Sequence, residues 1–331
     1  MADQSFDPDS ARSWYESASA QADLPVQHFV PLTLIGPAII EWGTDEQRRR
    51  HLPGIVSGEH MWCQLFSEPG AGSDLASLAT RAVPDADGGW IVDGQKVWSS
   101  FADLSRYGML LARTDIDKPK NAGITCFIVD MQAPGVTVRP LRQMTGSEHF
   151  CEVFLEGVVL PPDAILGPLD GGWRVAMSTL TAERSGLSGA SAASGVEIGP
   201  VVELARRSGG WDDALLADRL TALIATERAL SLTNLRLHNT GDAKGSITKL
   251  LQSELSQRIS ELAFDLAGPS AACWDGDQEP PEAYGLLDSR RLTVAGGTSE
   301  IQRNIIAERV LGLDREPDLD RGRPWRELRR G

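Results

Sequence analysis

Apolar residues change their spacing twice along this chain, and the two changes divide it into three stretches and a tail. The first stretch carries broad helical faces: Pro31 to Trp42 holds Leu32, Leu34, Ile35, Ala38, Ile39 and Ile40 in a mostly apolar helix. Gly43-Thr44-Asp45 then supplies a break and an N-cap for a helix over Glu46 to His51. The Arg48-Arg49-Arg50 run inside it reads as a solvated face rather than an anion site.

From Met61 the period becomes strand-like. Trp90-Ile91-Val92 and Gln95 to Ser100 flank an Asp93-Gly94 turn signal, and Tyr107 to Ala112, Ile124 to Val129, Val136 to Val138 and Cys151 to Leu160 follow. So many short strands without helices between them predict an antiparallel β-barrel or sandwich, closed by Pro161 and Pro162. Helical spacing then returns with Val175, Ala176 and Leu180, with a long helix after Trp211-Asp212-Asp213, and with another over Ile247 to Leu266. Between them Ser185 to Gly210, rich in Gly, Ser and Ala and interrupted by Pro200, reads as a loosely packed helical region or a connection. A last helix opens at Gly297-Thr298-Ser299-Glu300. The expected organisation is α+β: a helical region over 1–60, a β-domain over 61–165, a helical domain over 166–313 and a charged, irregular tail over 314–331.

Composition narrows the function classes. A chain of 331 residues exceeds what one core usually serves, so two or three packed subdomains are expected, with room for a large ligand. The net charge of −14 argues against nucleic acid or an anionic membrane as the main partner. The acidic N-terminal stretch has no basic or apolar leader segment, and no run of eighteen apolar residues occurs, so a soluble cytoplasmic protein without membrane insertion is expected. Cys63, Cys126, Cys151 and Cys273 are widely spaced, form no CxxC pair, and read as buried free thiols. There is no GxGxxG, Walker A, HExxH or GxSxG motif.

Ser67 to Asp74, SEPGAGSD, follows the apolar run Met61 to Phe66 and contains Gly70 and Gly72. Glycines let a main chain approach a ligand closely, and Ser67 and Ser73 add hydroxyls, so this stretch is either a cradle for a flat cofactor or a surface turn.

Four separated motifs in this order resemble those of the acyl-CoA dehydrogenase family. Gln64 to Asp74 is similar to its flavin signature, and Gly94-Gln95-Lys96-Val97-Trp98-Ser99-Ser100 to its second flavin strand. Glu152-Val153-Phe154-Leu155 with Val159 and Pro161 is similar to its barrel exit, and Gly297-Thr298-Ser299-Glu300-Ile301-Gln302 through Leu313 to its C-terminal signature. The resemblance implies a helical region, a middle β-barrel and a C-terminal helical bundle, with FAD as cofactor and α,β-desaturation of an acyl-CoA thioester as activity. It also implies electron-transfer flavoprotein as electron acceptor and a homo- or hetero-oligomer, dimer or tetramer.

Carried over by resemblance, groups of Gln64, Phe66, Ser67 and Gly72 would contact the flavin ring, Trp98 would pack against it and Ser100 would bond near it. Ser73 matches a contact to pantetheine or CoA, and Thr298 and Glu300 match positions near the flavin phosphates or ribityl chain. Many members place the catalytic glutamate where this chain has Gly296, which offers only a main-chain N–H toward the thioester carbonyl. A subset places it before an arginine on the helix after the barrel, which here selects Glu183, with Arg184 beside it. Burial would raise the Glu183 pKa and a close Arg184 would oppose that rise; the competing reading is an ordinary ion pair.

The family's ADP-binding arginine followed by Phe-Gly is missing from residues 186–240, and the N-terminal region is short by two or three helices. With Gly296, these departures resemble a bacterial subset acting on bulky, ring-bearing acyl groups such as sterol side chains, whose members often pair unlike subunits. The competing functions are a non-catalytic or half-site partner subunit and an acyl-CoA oxidase.

Overall fold

The computed structural model describes residues 6–22, 24–189, 197–237, 245–273, 279–317 and 320–328, with the side chains of Val26 and residues 182–189 outside the description. It divides into two compact units, one of Met1–Gln143, Ser147–Ala182 and Pro317–Gly331, the other of Met144–Gly146 and Glu183–Glu316.

The first unit opens with α1 (Pro8–Ser19), capped by the Asp7 carboxylate. The helix expected over Pro31 to Trp42 begins as a π-helical turn, Pro31–Ile35, and continues as α2 (Gly36–Trp42). Thr44 caps α3 (Asp45–Val56) through a capping box with Gln47, a device worth about 1 kcal/mol. The arginine run is not uniformly solvated: Arg49 and Arg50 are exposed, but Arg48 is buried. Its Nε donates to the Ile40 carbonyl at 2.9 Å, an acceptor left open by the end of α2, and its Nη1 pairs with Asp45 at 2.8 Å.

Seven strands follow: β1 (Trp62–Leu65), β2 (Arg81–Pro84), β3 (Trp90–Ser100), β4 (Tyr107–Arg113), β5 (Ile124–Asp130), β6 (Val136–Leu141) and β7 (Phe150–Leu160). They form one sheet in the order β1-β4-β2-β3-β7-β6, with β5 on β4. Pairing is antiparallel except that β4 runs parallel with β1 and meets β2 in parallel at Arg81↔Arg113. Asp93-Gly94 is not the hairpin turn its dipeptide suggests, because β3 runs through it and its register against β7 shifts between Val92 and Gly94. A Cβ on Gly94 would lie 2.3 Å from the Thr80 hydroxyl, and Asp93 accepts from the Gly157 N–H at 2.8 Å. Close approach and a side-chain bond therefore make the pair a bulge.

The near-continuous apolar runs of β4 and β5 have a simple cause: both faces are covered. Met109, Leu111, Cys126 and Ile128 pack with Ile39, Leu52, Ile55 and Trp62 beneath the helices, while Leu110, Ala112, Phe127 and Val129 join Cys63, Val92, Val153 and Leu155 in the second core. Cys63, Cys126 and Cys151 are buried free thiols as expected, but Cys273 is exposed. Cys63, wholly inside the second core, has its thiol pushed up to about 12 by burial. The tail is irregular yet anchored: Trp325 is buried, donates its N–H to the Lys118 carbonyl at 2.9 Å, and has the Arg113 guanidinium 4.8 Å from its ring centroid.

After the sheet, α4 (Gly172–Gly189) starts in the first unit, and the division falls within it after Ala182. In the second unit α5 (Ile198–Ser208), α6 (Ala214–Leu237) and α7 (Gly245–Ala267) share a core of Val201, Ala205, Leu220, Leu223, Leu255, Ile259 and Leu262. Pro200 does not interrupt α5, because it falls in the first turn, where its missing N–H has no partner to lose. The short helices α8 (Pro269–Ala272), α9 (Pro281–Asp288) and α10 (Ser299–Ile305) complete the unit, α10 being capped by Thr298.

His51 on α3 lies edge-on to Trp62 and Tyr107, each 5.0 Å between centroids, and burial with nearby Arg50 and His60 lowers its pKa to about 4. The unfolded imidazole titrates near 6.5, so below that value the unfolded state binds the extra proton and stability falls with pH. Unfolding free energy should drop by about 3 kcal/mol from this group between pH 6.5 and pH 4. Urea unfolding across that range should show the slope, and His51→Phe should lack this part of it.

Candidate functional site

The end of β1 and the end of β3 are joined from behind by a buried ion pair. Lys96 is wholly buried, and its Nζ lies 2.8 Å from Glu68 Oε1 and 3.0 Å from the Phe66 carbonyl. The Glu68 carboxylate also accepts from the N–H groups of Ala79 at 2.7 Å and Thr80 at 2.9 Å. Burial works to raise the Glu68 pKa, but Lys96 and these hydrogen bonds outweigh it and hold the carboxyl below its usual range. One carboxylate thus fastens the loop after β1, the segment leading into β2, and β3.

Arg113 extends the arrangement. Its Nη2 donates to the carbonyls of Ala76 at 2.7 Å and Leu78 at 3.2 Å, closing the turn that follows Asp74. Asp74 itself pairs with Lys120 at 2.9 Å.

On the outer side of the pair the chain is open. The Ser67 carbonyl accepts from the Val97 N–H at 3.0 Å, so the SEPGAGSD loop and β3 run side by side. Gly70 and Gly72 have nothing within 4 Å of the place a Cβ would take, and Ser73 is exposed beside them. Gln64, Ser67 and Ser100 are half-buried. Phe66 differs from its neighbours, since its side chain lies in the core and its carbonyl is engaged by Lys96.

Trp98 is the most conspicuous residue of this face. It is 60% exposed, and its φ of +61° lies in the left-handed region that a bulky residue seldom enters. The β3–β7 register shifts between Lys96 and Ser99, which is the irregularity that turns the indole outward. Its ring meets Phe150 edge-on at 5.9 Å. Phe101, three residues on, has φ +54° and is held by its N–H to the His149 carbonyl at 2.7 Å. An exposed indole on a strained strand end, beside a loop with free space over its glycines, fits a flat aromatic group such as a flavin ring.

Gly296, Thr298 and Glu300 lie in the second unit. Gly296 and Gly297 have φ of +65° and +89°, and the Gly296 carbonyl accepts from Gln302 Nε2 at 2.8 Å. The Thr298 hydroxyl accepts from the Ile301 N–H at 3.2 Å, and Glu300 is exposed in the first turn of α10. Its own main-chain N–H and the Thr298 hydroxyl hold the Glu300 carboxyl below its usual range. Glu183 and Arg184 are on α4, but their side chains lie outside the described residues.

Other features of the first unit are separate from the cradle. A cavity of about 140 Å³ lined by Gln47, Arg50, His51, Tyr107, Ile128 and Asp163, among others, shares no residue with it. Among the described residues no His, Cys, Asp or Glu cluster could hold a metal ion, and no helix is long and apolar enough to cross a membrane.

Comparison with known proteins places this geometry in context. Models of the acyl-CoA dehydrogenase N-terminal, middle and C-terminal domains match residues 9–59, 63–158 and 170–311. The chain belongs to the acyl-CoA dehydrogenase family. It is 43% identical over 307 residues to the acyl-CoA dehydrogenase IpdE1 of Mycobacterium tuberculosis, covering 90% of this chain and 78% of that protein. It is 44% identical over 287 residues to FadE34 of the same organism, covering 84% of this chain but spanning only 39% of FadE34. Among solved structures, the steroid ACAD Tcur3481–Tcur3483 superposes with TM-score 0.81 at 25% identity, covering 95% of this chain and 90% of that one. The ChsE4–ChsE5 complex of Mycobacterium tuberculosis superposes with TM-score 0.76 at 29% identity, covering 93% and 82%.

In this acyl-CoA dehydrogenase fold the Glu68–Lys96 pair escaped sequence reasoning, which treated both residues as motif letters. The available signal was a single lysine in the run Gln95 to Ser100, whose other side chains are apolar, hydroxyl or amide, so that it has to find an anion if that run is buried. Lys96→Met should cost about 3–5 kcal/mol of unfolding free energy, because it strands a buried carboxylate. Adding Glu68→Gln to that variant should recover part of the loss in urea unfolding.

Proposed function

We propose that this chain is an FAD-dependent acyl-CoA dehydrogenase that forms the Cα–Cβ double bond of an acyl-CoA thioester, with Glu183 as base. The observation that carries the reading is the outward, left-handed Trp98 beside the open SEPGAGSD loop, both fixed from within by Glu68 and Lys96. FAD, when bound, supplies the acceptor for the hydride that leaves Cβ. Trp98 would flank its ring, Gln64, Phe66, Ser67, Gly72 and Ser100 would border it with main-chain and side-chain groups, and Thr298 and Glu300 would meet its ribityl or phosphate portion.

Toward the substrate, Ser73 would bond pantetheine, and the Gly296 N–H would donate to the thioester carbonyl. Charge develops on that oxygen as the α-proton leaves, so a donor held in place there lowers the barrier. The proton goes to the Glu183 carboxylate. Exclusion of water would make that carboxylate more basic, and a close Arg184 would oppose that rise. The reduced enzyme would pass its electrons to electron-transfer flavoprotein.

A ring-bearing, steroid-like acyl group is the proposed substrate class, supported by the likeness to a steroid ACAD at 25% identity over nearly the whole chain. A second reading, a half-site partner subunit, draws on Gly296 and on the missing ADP-side arginine in residues 186–240. The likeness to the ChsE4–ChsE5 complex favours pairing of unlike chains under either reading.

The purified full chain should be yellow and bleach anaerobically with the CoA thioester of a steroid side-chain acid. Glu183→Gln should keep its flavin absorbance yet bleach at least about a hundredfold more slowly. A variant that bleaches at the wild-type rate assigns the base elsewhere. A colourless chain that gains flavin and activity only with a paralogous subunit supports the partner reading.

A further inference from the structure

We infer that Lys249 is a positioning residue for the proposed reaction: its ammonium staples the two ends of the Leu292–Gly297 stretch and thereby aims the Gly296 N–H. The inference rests on the reading of Gly296 given above and extends it to a residue that neither the motifs nor the comparisons single out.

Lys249 sits on the inner face of α7, 5% exposed, in a row of buried positions with Ser246, Ser253, Ser256 and Ser260. An ammonium taken out of water costs several kcal/mol unless good acceptors replace its hydration, and Leu or Met would fill such a place without that cost. Lys249 finds acceptors in the irregular segment before α10. Its Nζ donates to the Gly297 carbonyl at 2.6 Å and to the Leu292 carbonyl at 3.0 Å. Those two carbonyls bracket Gly296.

The stretch needs an outside restraint. Gly296 and Gly297 both have positive φ, and neither has a side chain to wedge the turn in place. Gln302, wholly buried, supplies a second tie through Nε2 to the Gly296 carbonyl at 2.8 Å, and a Cβ on Gly297 would lie 2.6 Å from that same nitrogen. On the other flank the Ala295 N–H is bonded to the Arg291 carbonyl at 2.8 Å. The Gly296 N–H therefore lies between two fixed peptides, and Lys249 is the group that links the segments carrying them. Without it, Leu292 and Gly297 lose a charge-assisted donor and the glycine pair can turn. A donor aimed about 1 Å off its target forfeits on the order of a hundredfold in rate while substrate contacts made elsewhere persist.

The test compares full-length wild type, Lys249→Met and Gly297→Ala, the last perturbing the turn from its opposite side without touching Lys249. For each, flavin absorbance and the dissociation constant for the steroid side-chain CoA thioester are measured. Exchange of that thioester's α-proton with D2O under anaerobic conditions is then followed by mass spectrometry. Both variants should keep flavin and bind the thioester within about threefold of wild type, while α-proton exchange falls by roughly a hundredfold. A merely structural role would lower stability and flavin content together and leave exchange per bound flavin unchanged, which overturns the inference. If Lys249→Met does not fold, Lys249→Gln, which keeps a donor but removes the charge, decides by the same criterion. A wild type that neither bleaches nor exchanges overturns the functional reading itself, whereas an exchanging wild type matched by its folded variants overturns only the role of Lys249.

Discussion

The buried contact between Glu68 and Lys96 is the constraint from which the rest of the cradle follows. A buried ion pair is a poor source of net stability, since desolvation consumes most of what attraction returns. Its consequence here is positional. The Lys96 ammonium reaches Phe66 and Glu68 while Glu68 reaches Ala79 and Thr80, so segments far apart in the chain meet at two side chains. Immediately beyond Lys96 the β3–β7 register slips and Trp98 turns outward. Without an anchor on its inner side, a strand end with a left-handed tryptophan would have easier conformations open to it.

The second unit shows a related arrangement on another scaffold. There the buried cation is Lys249, its acceptors are main-chain carbonyls, and the held segment is a glycine pair. In both units a stretch with positive φ angles is tied to its surroundings by a buried lysine that donates to main-chain carbonyls. A lysine carries three donors on a compact head, which suits it to bridging acceptors that belong to different peptides.

Much of the fold was legible because its signals were local. Thr44 announced the start of α3, the apolar runs announced β4, β5 and β7, and Thr298 announced α10. The errors arose where a tertiary partner overrode local chemistry. Asp93-Gly94 spells a turn, but Gly157 and Thr80 make it a bulge; Arg48 looks like part of a solvated run, but the open end of α2 draws it inside. The candidate site was legible as motifs and not as mechanics. SEPGAGSD and the Trp98 strand could be recognised by residue order, whereas Lys96 and Lys249 are each one letter in a long pattern, with partners 28 and 48 positions away.

The double-sided burial of β4 and β5 has a further meaning. Along each strand, neighbouring residues belong to different neighbourhoods: Met109 and Leu111 sit with the helices of α2 and α3, Leu110 and Ala112 with the strands behind the cradle. A single strand is thus written in two interleaved alphabets, one spelling how the helical layer seats and the other how the sheet behind the SEPGAGSD loop curves. Changing the shape of one layer through these strands, by drift or by design, is possible at every second letter without rewriting the other.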